Sequence, residues 1–160
     1  MVTDFASQPG SSDVTLDEIT TYLHDHIPIT RSLGARVEHY DDQSVQLSAP
    51  LAPNLNHRDT AFGGSLSSLG ILSGWVLLYL QLRERGLETR LVIQRSVFEF
   101  EAPVDGDFTA TSTLPDAATW SRFLATLSRH RSARVTVAST ITCATGVGGR
   151  HEGTYVAVRV

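Results

Sequence analysis

From Ala61 to Leu82 the chain runs 22 residues without a formal charge. The run opens Ala61-Phe62-Gly63-Gly64-Ser65 and becomes Leu69, Ile71, Leu72, Trp75, Val76, Leu77, Leu78, Tyr79 and Leu80. About twenty apolar residues suffice to cross a bilayer, so the segment belongs either in lipid or in a protein core. Its first half is too small and polar for lipid, with Gly63, Gly64, Ser65, Ser67, Ser68, Gly70, Ser73 and Gly74. It is the single such run, and strand-like segments follow it. No basic residue followed by an apolar stretch opens the chain, so no cleaved signal peptide is expected. The expectation is a helix apolar on nearly all sides, wrapped by other structure, with no membrane span.

Composition narrows the rest. The 160 residues can bury one core. A net charge of −4 argues against a sequence-independent nucleic-acid binder. The single cysteine, Cys143, permits no internal disulfide and fits a reducing, cytoplasmic compartment. It lies in an apolar strand pattern and reads as a buried, inert thiol. All thirteen basic residues are arginine, which excludes a lysine nucleophile or Schiff base. Any phosphate would meet arginine forks or backbone amides.

Residues 1–13 are rich in Ser, Gly, Gln and Pro and read as disordered; residues 14–160 read as one domain without internal repeats. Thr15 with Glu18 makes a capping box, Val14 and Ile19 stand at the staple positions, and Pro28 closes that helix. Ala35, Val37 and His39 alternate with Arg36, Glu38 and Tyr40, and Val45, Leu47 and Ala49 alternate with Gln46 and Ser48. Asp41-Asp42-Gln43 is a hairpin turn between those two strands. The long helix ends near Arg85-Gly86, where glycine suits a cap. A strand from Thr89 to Ala102 puts Phe98 and Phe100 on one face; Pro103 to Asp107 is a turn and Phe108 to Leu114 a strand. Asp116 caps a helix in which Trp120, Phe123, Leu124 and Leu127 follow helical spacing. Ala133, Val135, Val137, Ser139, Ile141 and Cys143 alternate as a fifth strand. Gly146 to Gly149 is a turn region, and Val156, Val158 and Val160 form the inward face of the last strand. Six strands and one all-round apolar helix predict an α+β fold, an antiparallel sheet curled around the helix. A parallel doubly wound sheet would need helices at three connections that have none.

The local motifs carry a resemblance. Leu55-Asn56, then Phe62-Gly63-Gly64, then Leu66 and Leu69, resemble the pattern of the hotdog acyl-coenzyme A thioesterases, where an Asn precedes a His-Gly-Gly opening the central helix. Phe100 to Asp107 is similar to the strand and turn that follow that helix. The loop Asn54-Leu55-Asn56-His57 with Thr60-Ala61-Phe62-Gly63-Gly64-Ser65-Leu66 is similar to that of the putative thioesterase family named for the YiiD C-terminal domain. The extra helix from Ala117 to His130 suits that family, and the resemblance covers about Leu16 to Val160. It implies the hotdog fold and hydrolysis of an acyl-coenzyme A or acyl-carrier-protein thioester. It implies no cofactor beyond the coenzyme A moiety of the substrate, and a site shared between subunits of a homodimer or dimer of dimers. In the phenylacetyl-coenzyme A type a carboxylate further along the helix activates water. Here Phe62 stands at the His position and Ile71 where the acid would be, and no acid occurs in the helix before Glu84.

The residues themselves give Gly63-Gly64 a role. The first amides of a helix lack intrahelical partners and carry partial positive charge, so a thioester carbonyl against Gly64 would be polarised and its oxyanion stabilised. The other reading is a sharp turn into a crowded helix. The base must come from elsewhere. Asp59 stands near the helix start, and His57 carries an imidazole, the side chain most often used as a general base; Asn56 is placed to hold the carbonyl or the water. Asn54, Thr60, Phe62 and Ser65 complete the candidate substrate-binding set. Each polar member also has a bland reading, as a turn former or a solvated loop charge. Ser65, Ser67 and Ser68 lack a sequence partner for nucleophilic catalysis. His24 and His26 do not share a helical face, and no metal is expected. Arg129, His130 and Arg131 are either a phosphate contact or a solvated helix end. Besides hydrolysis, two alternatives stand: a non-catalytic acyl-coenzyme A-binding or regulatory module, and a hydratase or dehydratase with His57 as proton-transfer group.

Overall fold

The computed structural model describes residues 14–160, so the segment expected to be disordered lies outside them. Helix α1 (Leu16–His26) opens with the reciprocal pair expected of its sequence: Thr15 Oγ1 accepts from the Glu18 amide at 3.2 Å, and Glu18 Oε2 accepts from the Thr15 amide at 2.8 Å. Hydrogen bonding to Thr15 holds the Glu18 carboxyl below its usual range. Pro28 does two jobs, since it follows the end of α1 and starts a short helix, α2 (Ile29–Leu33), that periodicity did not signal.

Six strands follow: β1 (Arg36–Tyr40), β2 (Ser44–Ala49), β3 (Thr89–Phe100), β4 (Phe108–Thr113), β5 (Ser132–Cys143) and β6 (Gly146–Arg159). They form one sheet in the order β1-β2-β4-β5-β6-β3, and every neighbouring pair is antiparallel. The sheet curves around helix α3 (Gly63–Glu84), which packs against β2, β3, β4, β5 and β6. This is the hotdog architecture, and it explains the charge-free run. Leu69, Val76, Leu77 and Leu78 are wholly buried, each contributing about 1.5–3 kcal/mol relative to exposure. By length and composition α3 could cross a membrane, but 72% of its most apolar window is buried inside the fold. It ends as expected, with Arg85 at the cap and Gly86 at φ 68°.

Close packing of helix on sheet depends on two glycines of α3. A Cβ on Gly74 would lie 2.4 Å from Tyr155 Oη, and one on Gly70 would lie 2.9 Å from His151 Cβ. Tyr155 is wholly buried and donates its hydroxyl to the Ile71 carbonyl at 2.6 Å. Below α3 the hydroxyls of Ser73, Ser112 and Ser139 bond to one another, and Ser73 also donates to the Gly70 carbonyl at 2.9 Å. Helix α4 (Ala117–His130), capped by Asp116 as expected, packs on β5 and buries Trp120, Phe123 and Leu127 in the same core, with the Arg85 guanidinium at the end of α3 lying 5.6 Å from the Trp120 ring.

Three expectations are corrected. A bulge between Val37 and His39 breaks the alternation of β1, so His39 is exposed and Tyr40 turns inward to meet Gln81 Nε2 at 3.0 Å. On β6, Gly146 to Gly149 are strand rather than turn, and the inward residues are His151, Gly153, Tyr155 and Ala157. Val158 and Val160 are exposed, and Val156 is half-buried beside Phe123 of α4. Register decides this parity. His151, Gly153, Tyr155 and Ala157 pair with the inward residues Ser139, Val137, Val135 and Ala133 of β5. Cys143 is half-buried rather than buried, and its hydrogen bond with Thr145 lowers the thiol pKa.

Candidate active site

The polar loop enters α3 through a 3-10 turn, Ala52–Asn54. Asn54 is only 3% exposed and donates its amide to the Leu33 carbonyl at 2.9 Å and the Pro50 carbonyl at 2.7 Å. Its own carbonyl accepts from the Phe62 amide at 2.7 Å, which ties the turn to the helix start. Asn56 folds the rest of the loop. Its Oδ1 accepts from the amides of Arg58 (2.7 Å) and Thr60 (3.2 Å), while Nδ2 donates to Thr60 Oγ1 at 2.9 Å. Both Asn side chains therefore hold the loop in shape, as short amides able to mimic backbone turns do. Thr60 is committed to the same network.

The loop tip is open. His57, Arg58 and Asp59 are exposed, and Asp59 adopts φ 61°, a left-handed conformation that Asp tolerates better than most residues. The segment is fastened again where the Ala61 amide donates to the Val104 carbonyl at 2.7 Å.

At the start of α3 the N-cap is Phe62, which has no side-chain oxygen to offer. Its carbonyl accepts from the amides of Ser65 (2.9 Å) and Leu66 (3.2 Å). The amides of Gly63 and Gly64 come one turn too early for an intrahelical acceptor. They sit between two exposed aromatic rings. A Cβ on Gly63 would lie 3.1 Å from Phe100 Cε1, and one on Gly64 would lie 2.3 Å from Phe62 Cε1. Phe62 is 57% and Phe100 61% exposed, and the Phe98 ring lies 4.5 Å from that of Phe100. Ser65 is buried under them. The structure thus brings Phe62, Gly63, Gly64 and Ser65 together, with His57 and Asp59 on the loop that leads to them. An electronegative atom placed between the rings would meet two free N–H groups and the positive end of a long helix.

One candidate escaped the sequence reading. His151, 2% exposed on the inward face of β6, packs against Gly70 of α3, and its Nε2 lies 2.8 Å from Ser96 Oγ on β3. A polar residue on an inward strand face is a usable signal, but the expected inward face of β6, Val156, Val158 and Val160, is one residue out of phase with the observed one. Burial lowers the His151 pKa, and Glu152 opposes the shift in part. Among the described residues, no three His, Cys, Asp or Glu side chains gather as a metal site. His130 lies with Arg122 and Arg134 in a groove of about 460 Å³ between α4 and the start of β5.

Residues 16–159 match a protein family described as putative thioesterase, YiiD C-terminal. Among solved structures, a protein of unknown function from Chlorobaculum tepidum TLS is 27% identical, with a TM-score of 0.84 over 94% of this chain and 100% of its own. A putative thioesterase from Shewanella oneidensis is 26% identical, with a TM-score of 0.80 over 89% of this chain and 96% of its own. A protein of unknown function from Pseudomonas aeruginosa shares the fold at 22% identity, with a TM-score of 0.78 over 94% of this chain and 100% of its own.

Proposed function

This chain belongs to the putative thioesterase family of the YiiD C-terminal domain, and we propose that it hydrolyses acyl thioesters of coenzyme A or of an acyl-carrier protein. The observation that carries the reading is the pair of unpartnered amides at Gly63 and Gly64, framed by Phe62 and Phe100. A thioester carbonyl oxygen set against them becomes the oxyanion when water attacks, and donors fixed beforehand favour that state over the ground state. The exposed rings of Phe62 and Phe100, with Phe98 behind, give an acyl chain apolar surface beside the carbonyl. Asn54, Asn56 and Thr60 serve the site as scaffold, because their side chains are engaged in the loop. The rim offers two bases for the attacking water, His57 and Asp59. No cofactor is required by this chemistry.

A homodimer, or a dimer of such dimers, completes the reading. β3 is an edge strand twelve residues long with Val92, Val97 and Phe100 exposed. A long, open edge is a template for pairing with another chain.

Release of free thiol from acyl-coenzyme A substrates of increasing chain length tests the function. Turnover is expected for the wild type. A drop of about 10²–10⁴-fold in His57→Ala or Asp59→Asn assigns the base to the rim. Undiminished turnover in both variants moves the base elsewhere and leaves the hydrolase reading intact. One observation favours a second reading, an acyl-coenzyme A-binding module: α3 has no acid before Glu84. Saturable binding of acyl-coenzyme A without thiol release would select it.

A further inference from the structure

The resemblance placed a carboxylate at Ile71, where this chain has none. The structure instead packs an imidazole on α3 at the preceding residue. His151 packs on Gly70, one residue away, and a Cβ at Gly70 would come within 3.0 Å of His151 Cγ. A second glycine steers the ring. Gly153 faces Ser96 across the β3–β6 pair, and a Cβ there would lie 2.9 Å from His151 Cε1. The ring can therefore lean over Gly153 and reach Ser96 Oγ at 2.8 Å. His151 Nδ1 has no hydrogen-bond partner among the described residues, and the neighbouring Ser139 hydroxyl is turned to Ser73, Ser112 and the Gly70 carbonyl.

Exposure divides the pair. Ser96 is exposed and His151 is buried, so the hydrogen bond to the Ser96 hydroxyl gives His151 Nε2 a proton route to the surface. The charged groups nearby, Arg150 and Glu152 on β6 and Arg95 and Glu99 on β3, lie on the outer face of the sheet, where Arg95 pairs with Glu152 at 3.7 Å and Arg150 with Glu101 at 2.8 Å. α3 brings no charge to the ring and β5 brings Ser139.

We propose that Ser96 and His151 form the proton acceptor for the attacking water, in place of the helix carboxylate. Water adds to the thioester carbonyl carbon and gives a proton to Ser96 Oγ, while Ser96 passes its own proton to His151 Nε2. The C–S bond then breaks, and the departing thiolate recovers a proton from the imidazolium through the same hydroxyl, leaving a carboxylic acid and a free thiol. Gly63 and Gly70 are seven residues apart, about 10 Å along the helix axis. A carbonyl held at one α3 N-terminus is therefore out of reach of the same chain's Ser96, and the site is complete when a second copy supplies the Ser96–His151 pair.

This inference rests on the hydrolase reading, and wild-type thiol release checks that reading separately. With turnover established, Ser96→Ala is expected to lower kcat about 100-fold with little change in KM, while Ser96→Thr, which keeps the hydroxyl, retains most of the rate. The wild-type rate falls on the acid side as His151 becomes protonated, and the residual rate of Ser96→Ala loses that limb. Four results would overturn the proposal: Ser96→Ala turning over within about twofold of wild type, an acid limb that persists in that variant, a drop of about 10²-fold or more in His57→Ala or Asp59→Asn, which assigns the base to the rim instead, or an acyl group found on Ser96 by intact mass, which would make the serine a nucleophile. Ser96 is exposed, so its truncation does not endanger the fold.

Discussion

Gly64 shows how a single residue is held between stability and chemistry. Within a helix, alanine is favoured over glycine by about 1 kcal/mol. A methyl group at Gly64, however, would lie 2.3 Å from Phe62 Cε1. The contact is with the far end of an exposed ring, so the fold accommodates it by swinging Phe62 aside. Under the proposed function the site does not, because the methyl and the displaced ring would stand over the amides proposed to receive the carbonyl. Gly64→Ala is expected to lower thiol release about tenfold or more while leaving the thermal midpoint unchanged or slightly raised, measured on the same preparation. Asn54 and Asn56 teach the converse at this scale. Residue type marked them as polar and reactive, but their partners are backbone groups and Thr60 of their own loop.

At the scale of elements, α3 is read twice. Its body satisfies the sheet through buried leucines, and its first turn presents unpaired amides to the outside. Its freedom from charge suits the first task and removes the carboxylate from the second. β3 has a similar double character. Its bulge between Ile93 and Arg95 resets the alternation, so Ser96 and Phe98 face α3 while Val97 turns outward. Its outer edge is free because β6 is its single partner. Light scattering is expected to give a mass of at least twice the 17.4 kDa chain; a species that stays monomeric while retaining turnover would remove the shared site.

For the whole molecule, the buried imidazole links stability to pH. Burial holds His151 below its ordinary pKa of 6.5, so below that pH the unfolded chain binds a proton that the folded chain resists. Stability from this group is fully present above about pH 6.5 and is lost as pH falls through the lowered folded-state value. Thermal unfolding from pH 7.5 to 5, a range above the ordinary carboxylate values, should show a falling midpoint, and His151→Gln should flatten that slope. The carboxyls of Glu18, Asp41 and Asp116 are lowered by their own hydrogen bonds, so their contributions disappear at lower pH.

The sequence by itself determined the six strands, the three longer helices and their order, though not the short α2. A capping box at Thr15 and Glu18, a cap at Asp116, a run without charge and strands with one apolar face are local patterns, written in residues a few positions apart. It also marked Gly63-Gly64, because a helix start is a local event. What only the tertiary structure decided depends on pairing across distance. β6 presents His151 rather than Val156 to the core because β5 fixes its register. Ser96 and His151 are 55 residues apart and meet because Gly70 and Gly153 leave room for the ring. Side-chain parity along a strand has period two, so one bulge or one shift of register exchanges inside for outside, and no local pattern reports it.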